Sequence, residues 1–459
     1  METSELSLDD SQQSPPQRAT RQQYTLVLLG CSLLQLPIWG IAMTYGIFQD
    51  AYSHKDTLHS ARNSTGVVGT TMNGVMYLCM PALFTLLDRG PYAHWRRHTA
   101  ACGVLLSSIA VMLSSWGTAI WHLIILQGVL AALGNTMLYS PTTLYLDEWF
   151  SSERRATAYG AILSSKNIVG TGCPLLTSAL IDHLGIRWAL RVWAAIILGT
   201  GLLGLCIIPN SRRRTSPRRN NSTNKVPWTF LRHRTFYIHA IANLVFSSGY
   251  SLPQTYVSSY ASEVLHLSSL TSSLMLTLLN APGILSSLGF GLLSDKFSLS
   301  AGANTLIAAM GSCVCTLFLW GLGSDRTPTF LIVFSLTYGF FAGGYSATWG
   351  GWIKDLEREA AENNEAIHTG MLYGLINGAR GVGYVVGGLT GLELVKAGGV
   401  HESAPGGHIG YDTRYGAVIL FTGLSAAVGG WSVLWSGCHR IKHSSWKFRG
   451  PRCLGGSRI

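Results

Sequence analysis

Asn135–Pro174 reads NTMLYSPTTLYLDEWFSSERRATAYGAILSSKNIVGTGCP, two apolar segments joined by a charged hinge, DEWFSSERR, from Asp147 to Arg155. An aromatic pair, Trp149-Phe150, precedes two arginines, Arg154 and Arg155, and a small-residue run with Gly160 and Gly170 follows. Soluble loops are seldom written this way. The pattern predicts the inner turn between two membrane helices: arginines hold the turn on the cytoplasmic side, and small residues let the next helix pack closely.

The composition agrees. Of 459 residues 47% are hydrophobic and 12% charged, against roughly 25% charged in a soluble domain. Apolar runs near the roughly 20 residues needed to cross a bilayer recur from end to end. The net charge of +11 suggests acidic partners, but most Lys and Arg sit in alternate loops and both tails, which is an orientation signal and argues against nucleic acid. No cysteine falls in an expected outer loop, so no structural disulfide is expected.

Working outward, residues 1–23 read as a disordered cytoplasmic tail with no signal-peptide core, so the first span acts as an uncleaved signal. Six spans follow within 24–209, ending at about Gln49, Leu87, Trp116, Leu146, Ile181 and Pro209. Asn63-Ser64-Thr65 in the first outer loop is a glycosylation acceptor pattern at Asn63. Residues 210–234 hold Arg212, Arg213, Arg214, Arg218 and Arg219 among other basic residues and no acid, a cytoplasmic linker suited to anionic lipid. Six further spans fill 235–437, at about Thr235–Ala261, Leu270–Ser294, Ala301–Leu322, Thr329–Ile353, Ile367–Val395 and Tyr415–Gly437. A basic tail, 438–459, closes the chain. Twelve spans place both basic tails on one face, which an odd number would not.

The halves repeat. Asp88-Arg89-Gly90 follows the second span, and Gly291 to Ser294 followed by Asp295-Lys296 occupies the same place after the eighth. The hinge, these turns and the Tyr45–Tyr52 run together resemble the monocarboxylate-porter-like carriers, fungal type, of the major facilitator superfamily. The resemblance implies an all-α membrane protein with two six-helix bundles around a central cavity. It implies gating roles for Asp88, Arg89, Asp295, Lys296, Arg154 and Arg155. A helix-end aspartate can hold cationic or helix-terminal partners across the cytoplasmic seam. The first copy lacks the leading glycine, and the acidic and basic pair of the animal porters' eighth helix falls on Gly283 and Ser287 here. Their proton–carboxylate chemistry therefore does not carry over residue by residue.

Ionisable side chains at membrane depth point to function by default. Lys166 lies in the fifth span, and Arg380 lies in the eleventh among Gly374, Gly378, Gly381, Gly383, Gly387 and Gly388. No strand precedes those glycines, so they read as close helix packing rather than a nucleotide loop. A cation facing a cavity would hold a carboxylate; its bland alternative is a carbonyl partner or an interfacial position. Tyr139, Asn167, Asn280 and Asn377 are the expected polar lining of the substrate site. Pro37, Pro81, Pro141, Pro174, Pro253 and Pro282 are expected to break their helices locally.

The leading reading is a secondary active carrier that moves a small organic anion or a hydrophobic secondary metabolite, in efflux for a biosynthetic pathway. No P-loop supplies ATP, so an ion or substrate gradient is the expected drive, with protons one candidate ion, and no cofactor is called for. The scarcity of cavity charge tilts the substrate toward a bulky, mostly apolar product. Proton-coupled monocarboxylate uptake is the alternative, and a non-transporting nutrient sensor is the alternative of another class. An enzyme is disfavoured: His94 and His98 form one His-x3-His pair amid arginines, too little for a membrane metal centre. The expected partners are the small-molecule substrate and the bilayer, with a monomer in the plasma membrane and both termini cytoplasmic.

Overall fold

A computed structural model describes residues 21–53, 65–88, 90–150, 152–209, 229–296, 301–323, 327–363, 365, 369–401 and 409–431. Asn63, Arg89, most of the basic linker and the tail beyond 431 lie outside the described residues, and so do the side chains of Arg154, Arg155, Asp295 and Lys296.

The described residues are almost wholly helical. The first crossing is α1 (Arg21–Leu33) followed by α2 (Gln35–Ser53). They part at Leu34, where Pro37 has no N–H to give and its ring crowds the carbonyl one turn back. Next come α3 (Gly66–Leu87) and α4 (Arg96–Ser114). The fourth crossing is α5 (Ile120–Leu123), a π-helical stretch Ile124–Ala131 and α6 (Ala132–Trp149). α7 (Ser152–Ile207) is one helical run that supplies two crossings. It turns back at Gly185, whose φ of 76° is a conformation that glycine adopts without strain.

The second half comprises α8 (Arg234–Glu263), α9 (Ser269–Lys296), α10 (Ala301–Val314) with a π-helical extension Cys315–Trp320, and α11 (Thr329–Tyr345). α11 runs through a 3-10 turn, Ser346–Thr348, into α12 (Trp349–Glu362), past the expected span end at Ile353. α13 (Thr369–His401) and α14 (Gly416–Gly429) complete twelve crossings. Eight of the described helical runs are long and apolar enough to span a membrane by themselves; α7 counts once among them. The start of α1 and the end of α14 lie on one face, called here the terminal face.

Pro81, Pro141, Pro174, Pro253 and Pro282 all lie inside helical runs that continue past them. In lipid a freed carbonyl has no water to turn to, and neighbouring helices and side chains re-satisfy it.

The glycines of α13 do what close packing requires. A Cβ on Gly387 would overlap the Ser248 carbonyl of α8, and one on Gly388 would overlap the Thr70 hydroxyl of α3. α13 therefore lies against α8 of its own half on one side and α3 of the first half on the other. α7 packs on α9 in the same crosswise manner: Asn167 Nδ2 donates to Ser287 Oγ at 2.9 Å, and Ser164 Oγ to the Ile284 carbonyl at 3.0 Å. These two seams define a central space between the halves.

Candidate functional site

The central space is a cavity lined by α2, α3, α6, α7, α9, the 3-10 turn Ser346–Thr348, α12 and α13. It offers about 70 Å³ to water-sized molecules, within about 990 Å³ of non-atom space that includes its opening. Helical spacing delivers the lining. Tyr373, Asn377 and Arg380 stand at i, i+4 and i+7 on α13; Tyr159 and Lys166 stand seven apart on α7; Gln35 and Trp39 stand four apart on α2. Such intervals return to one helix face.

Arg380 is 4% exposed and Lys166 9%. The cavity lining contains no Asp or Glu. Aromatic faces take the place of counter-charges. The Arg380 guanidinium carbon lies 5.0 Å from the Tyr250 ring centre, 5.3 Å from Trp349, 5.5 Å from Tyr77 and 5.6 Å from Tyr384. Lys166 Nζ lies 4.0 Å above the Trp39 ring. Each such contact is worth about 0.5–2 kcal/mol, whereas leaving an ion unpaired in a low-dielectric interior costs several. Arg380 Nη1 donates to Ser346 Oγ, yet its buried Nε has no hydrogen-bond acceptor. Two buried basic side chains thus share a lining that offers them no acid.

Its walls are preorganised. Trp39 Nε1 donates to Gln35 Oε1 at 3.0 Å, and Gln35 Nε2 to the Cys31 carbonyl at 3.1 Å, which fixes both rotamers. Tyr77 stacks on Tyr384 with centroids 5.3 Å apart, joining α3 to α13 across the halves. Tyr159 of α7 stacks on Tyr373 of α13 at 5.0 Å, nearer the terminal face. At the mouth Lys354 is exposed.

Of the lining expected from the sequence, Arg380, Lys166, Tyr139 and Asn377 come together here. Asn167 and Asn280 do not. Both face a smaller pocket with Tyr250, Gln254 and Tyr338, and Asn280 Nδ2 donates within its own helix to the Leu276 carbonyl. Sequence reasoning passed over Trp39, Tyr77, Tyr159, Trp349 and Tyr373. The signal available was Tyr159 seven residues before Lys166 and Tyr373 seven before Arg380, a spacing that ordinary helix packing also produces; Trp39, Tyr77 and Trp349 lie on other helices and left none. The expectation of little cavity charge is corrected, because helix rotation turns both intramembrane cations into one space.

Of the expected gate residues, Asp88 ends α3 beside the first turn of α13: a Cβ on Gly370 would lie 3.5 Å from Asp88 Oδ2. Arg96 binds it at 3.7 Å and Glu148 at 3.1 Å, and donates Nε to the Leu87 carbonyl at 3.0 Å. Across the second half, His233 before α8 sits between two carboxylates, Nδ1 at 3.1 Å from Glu359 and Nε2 at 2.8 Å from Glu365. No cluster able to hold a metal ion occurs among the described residues.

Comparison with known proteins places this geometry in context. The sequence model of the Major Facilitator Superfamily matches residues 27–388. "MFS transporter asaE" of Aspergillus flavus is 23% identical over 320 residues, 70% of each chain. The "Fujikurins efflux protein" of Gibberella fujikuroi is 23% identical over 336 residues, 72% of this chain and 69% of that one. "Monocarboxylate transporter 12-B" of Danio rerio is 24% identical over 361 residues, 70% of this chain and 72% of that one.

Proposed function

The chain belongs to the Major Facilitator Superfamily and is a multi-pass membrane transporter rather than an enzyme, and from that premise we propose that it exports a small organic anion made by a biosynthetic pathway. The observation that carries this is the pairing of Arg380 and Lys166 in a cavity without a carboxylate. An anion entering between the halves supplies the missing counter-charge and finds Arg380 Nε as an open donor. The aromatic walls accept an apolar body behind the charged group. The name of the fujikurin relative supports the outward direction.

Transport proceeds by alternating access, one half rocking against the other about the bound substrate. On the terminal side the halves part at Tyr159–Tyr373 and at Asp88 against the first turn of α13. The negative side chain there favours the helix N-terminus while the contact is closed. We place the terminal face in the cytoplasm and the protein in the plasma membrane, as the basic loops indicate. A second reading is proton-coupled uptake of a monocarboxylate, of which the name of the Danio rerio relative supports the monocarboxylate substrate.

The test is a metabolite profile, inside and outside the source cell, with and without the gene. An acid retained inside the deletion strain establishes export and names the substrate. An acid left unused in the medium establishes uptake instead. No difference in either compartment sinks both.

A further inference from the structure

We propose that the cavity recognises a dianion, two acidic groups on one planar aromatic body, with Arg380 taking one group and Lys166 the other. This rests on the anion reading above and goes beyond it. The charge count is the argument. Two cations, both more than nine-tenths buried, share one cavity whose lining has no acid. A monoanion leaves one of them uncompensated in a medium where an isolated charge is expensive. A dianion compensates both buried cations; the third basic residue of the lining, Lys354, is exposed.

The donors are separate, which a single carboxylate cannot exploit. Lys166 sits over Trp39; Trp39 meets Tyr77 with centroids 5.7 Å apart; Tyr77 meets Arg380. One aromatic relay thus lies between the two cations, which separates the two positions that acidic groups can take. Trp39 and Tyr139 stand edge-on at 5.9 Å, and Trp349 stands beside Arg380. Flat faces on these sides suit a planar body, since stacked or edge-on rings gain about 0.5–1.5 kcal/mol beyond the area they bury. The open Arg380 Nε and the free directions of the Lys166 ammonium supply one hydrogen-bond partner at each end.

The experiment is calorimetric titration of the purified full chain in lipid nanodiscs at pH 8 with phthalate, isophthalate, terephthalate, benzoate and benzamide. We expect at least one of the three dianions to bind about tenfold or more tighter than benzoate, a gap of about 1.4 kcal/mol, and benzamide to bind worst. In Lys166→Gln the advantage of the dianion over benzoate disappears; in Arg380→Gln both are lost. Dianions no tighter than benzoate overturn the proposal while leaving the anion carrier standing. Benzamide equal to benzoate overturns the anion reading itself, and no binding by any carboxylate overturns both. The comparison within the unaltered protein decides the matter even where a variant does not fold.

Discussion

Lys166 Nζ rests 4.0 Å above the indole ring of Trp39, and that ring is the closest thing to a counter-charge the lysine has within the cavity. The contact joins α7 to α2, two helices of the same half, so it persists as the halves move. Trp39→Phe keeps a weaker π-face, and Trp39→Leu removes it. We expect anion binding to fall a few-fold in the first and roughly tenfold or more in the second, from a cation–π term of about 0.5–2 kcal/mol and lost packing. Equal affinities for the two variants in the same calorimetric titration would remove the ring from the site.

Glycine spacing on α13 makes a stability prediction. Gly387→Ala and Gly388→Ala each force a methyl into a neighbouring helix, and overpacking of this kind costs about 1–3 kcal/mol. Gly199→Ala on α7 meets nothing within 4 Å and is expected to be neutral or to stabilise by up to about 1 kcal/mol, the helix propensity gain. Thermal unfolding of the three variants in detergent checks the order.

The Arg96 network predicts a different loss. Arg96 is buried and bound to Asp88 and Glu148. Glu148→Gln leaves the guanidinium with weaker compensation. The expected destabilisation is about 1–3 kcal/mol, below the 3–5 of a fully buried broken pair because Glu148 keeps some solvent contact. Arg96→Gln combined with Glu148→Gln should recover part of it, and a double-mutant cycle reads the coupling directly.

His233 predicts a pH dependence. Burial disfavours its charged form, but the hydrogen bonds and charges of Glu365 and Glu359 outweigh burial and raise its pKa above the ordinary histidine value. With a carboxylate at each ring nitrogen, both nitrogens donate only when the imidazole is protonated. The folded pKa is the raised one, so the stabilisation is fully present below the unfolded value near 6.5 and is lost as pH rises through the folded value. The melting temperature of the wild type should therefore drop more than that of His233→Gln between about pH 6 and pH 8.5. Parallel curves for the two would show that the histidine does not carry the linkage.

Gly185 offers a last check. Its φ of 76° disfavours any side chain with a Cβ, although space around it is open. Its ψ of 161° lies outside the left-handed helical region that asparagine tolerates, so Gly185→Ala and Gly185→Asn should each cost about 1–3 kcal/mol through the backbone alone.

Much of this was legible in the chain itself. The hinge at Asp147–Arg155, the scarcity of charge and the alternation of basic loops determine a polytopic helical protein, because a bilayer imposes the same length and polarity on every crossing. Arg380 and Lys166 stood out for the same reason: a charge in an apolar run has to be answered by something. Sequence position did not reveal which way each helix turns. Asn167 is the neighbour of Lys166, yet a step of one residue rotates the side chain by about 100° and sends it to the α9 seam instead of the cavity. The aromatic walls were hidden too, since Trp39, Tyr77 and Trp349 read equally well as core. His233 and its two carboxylates lie more than a hundred residues apart in the chain, and no local pattern joins them. The membrane's demand for satisfied backbone is local and leaves its mark on sequence. The balance of charge within a cavity is settled between helices, and only their packing decides it.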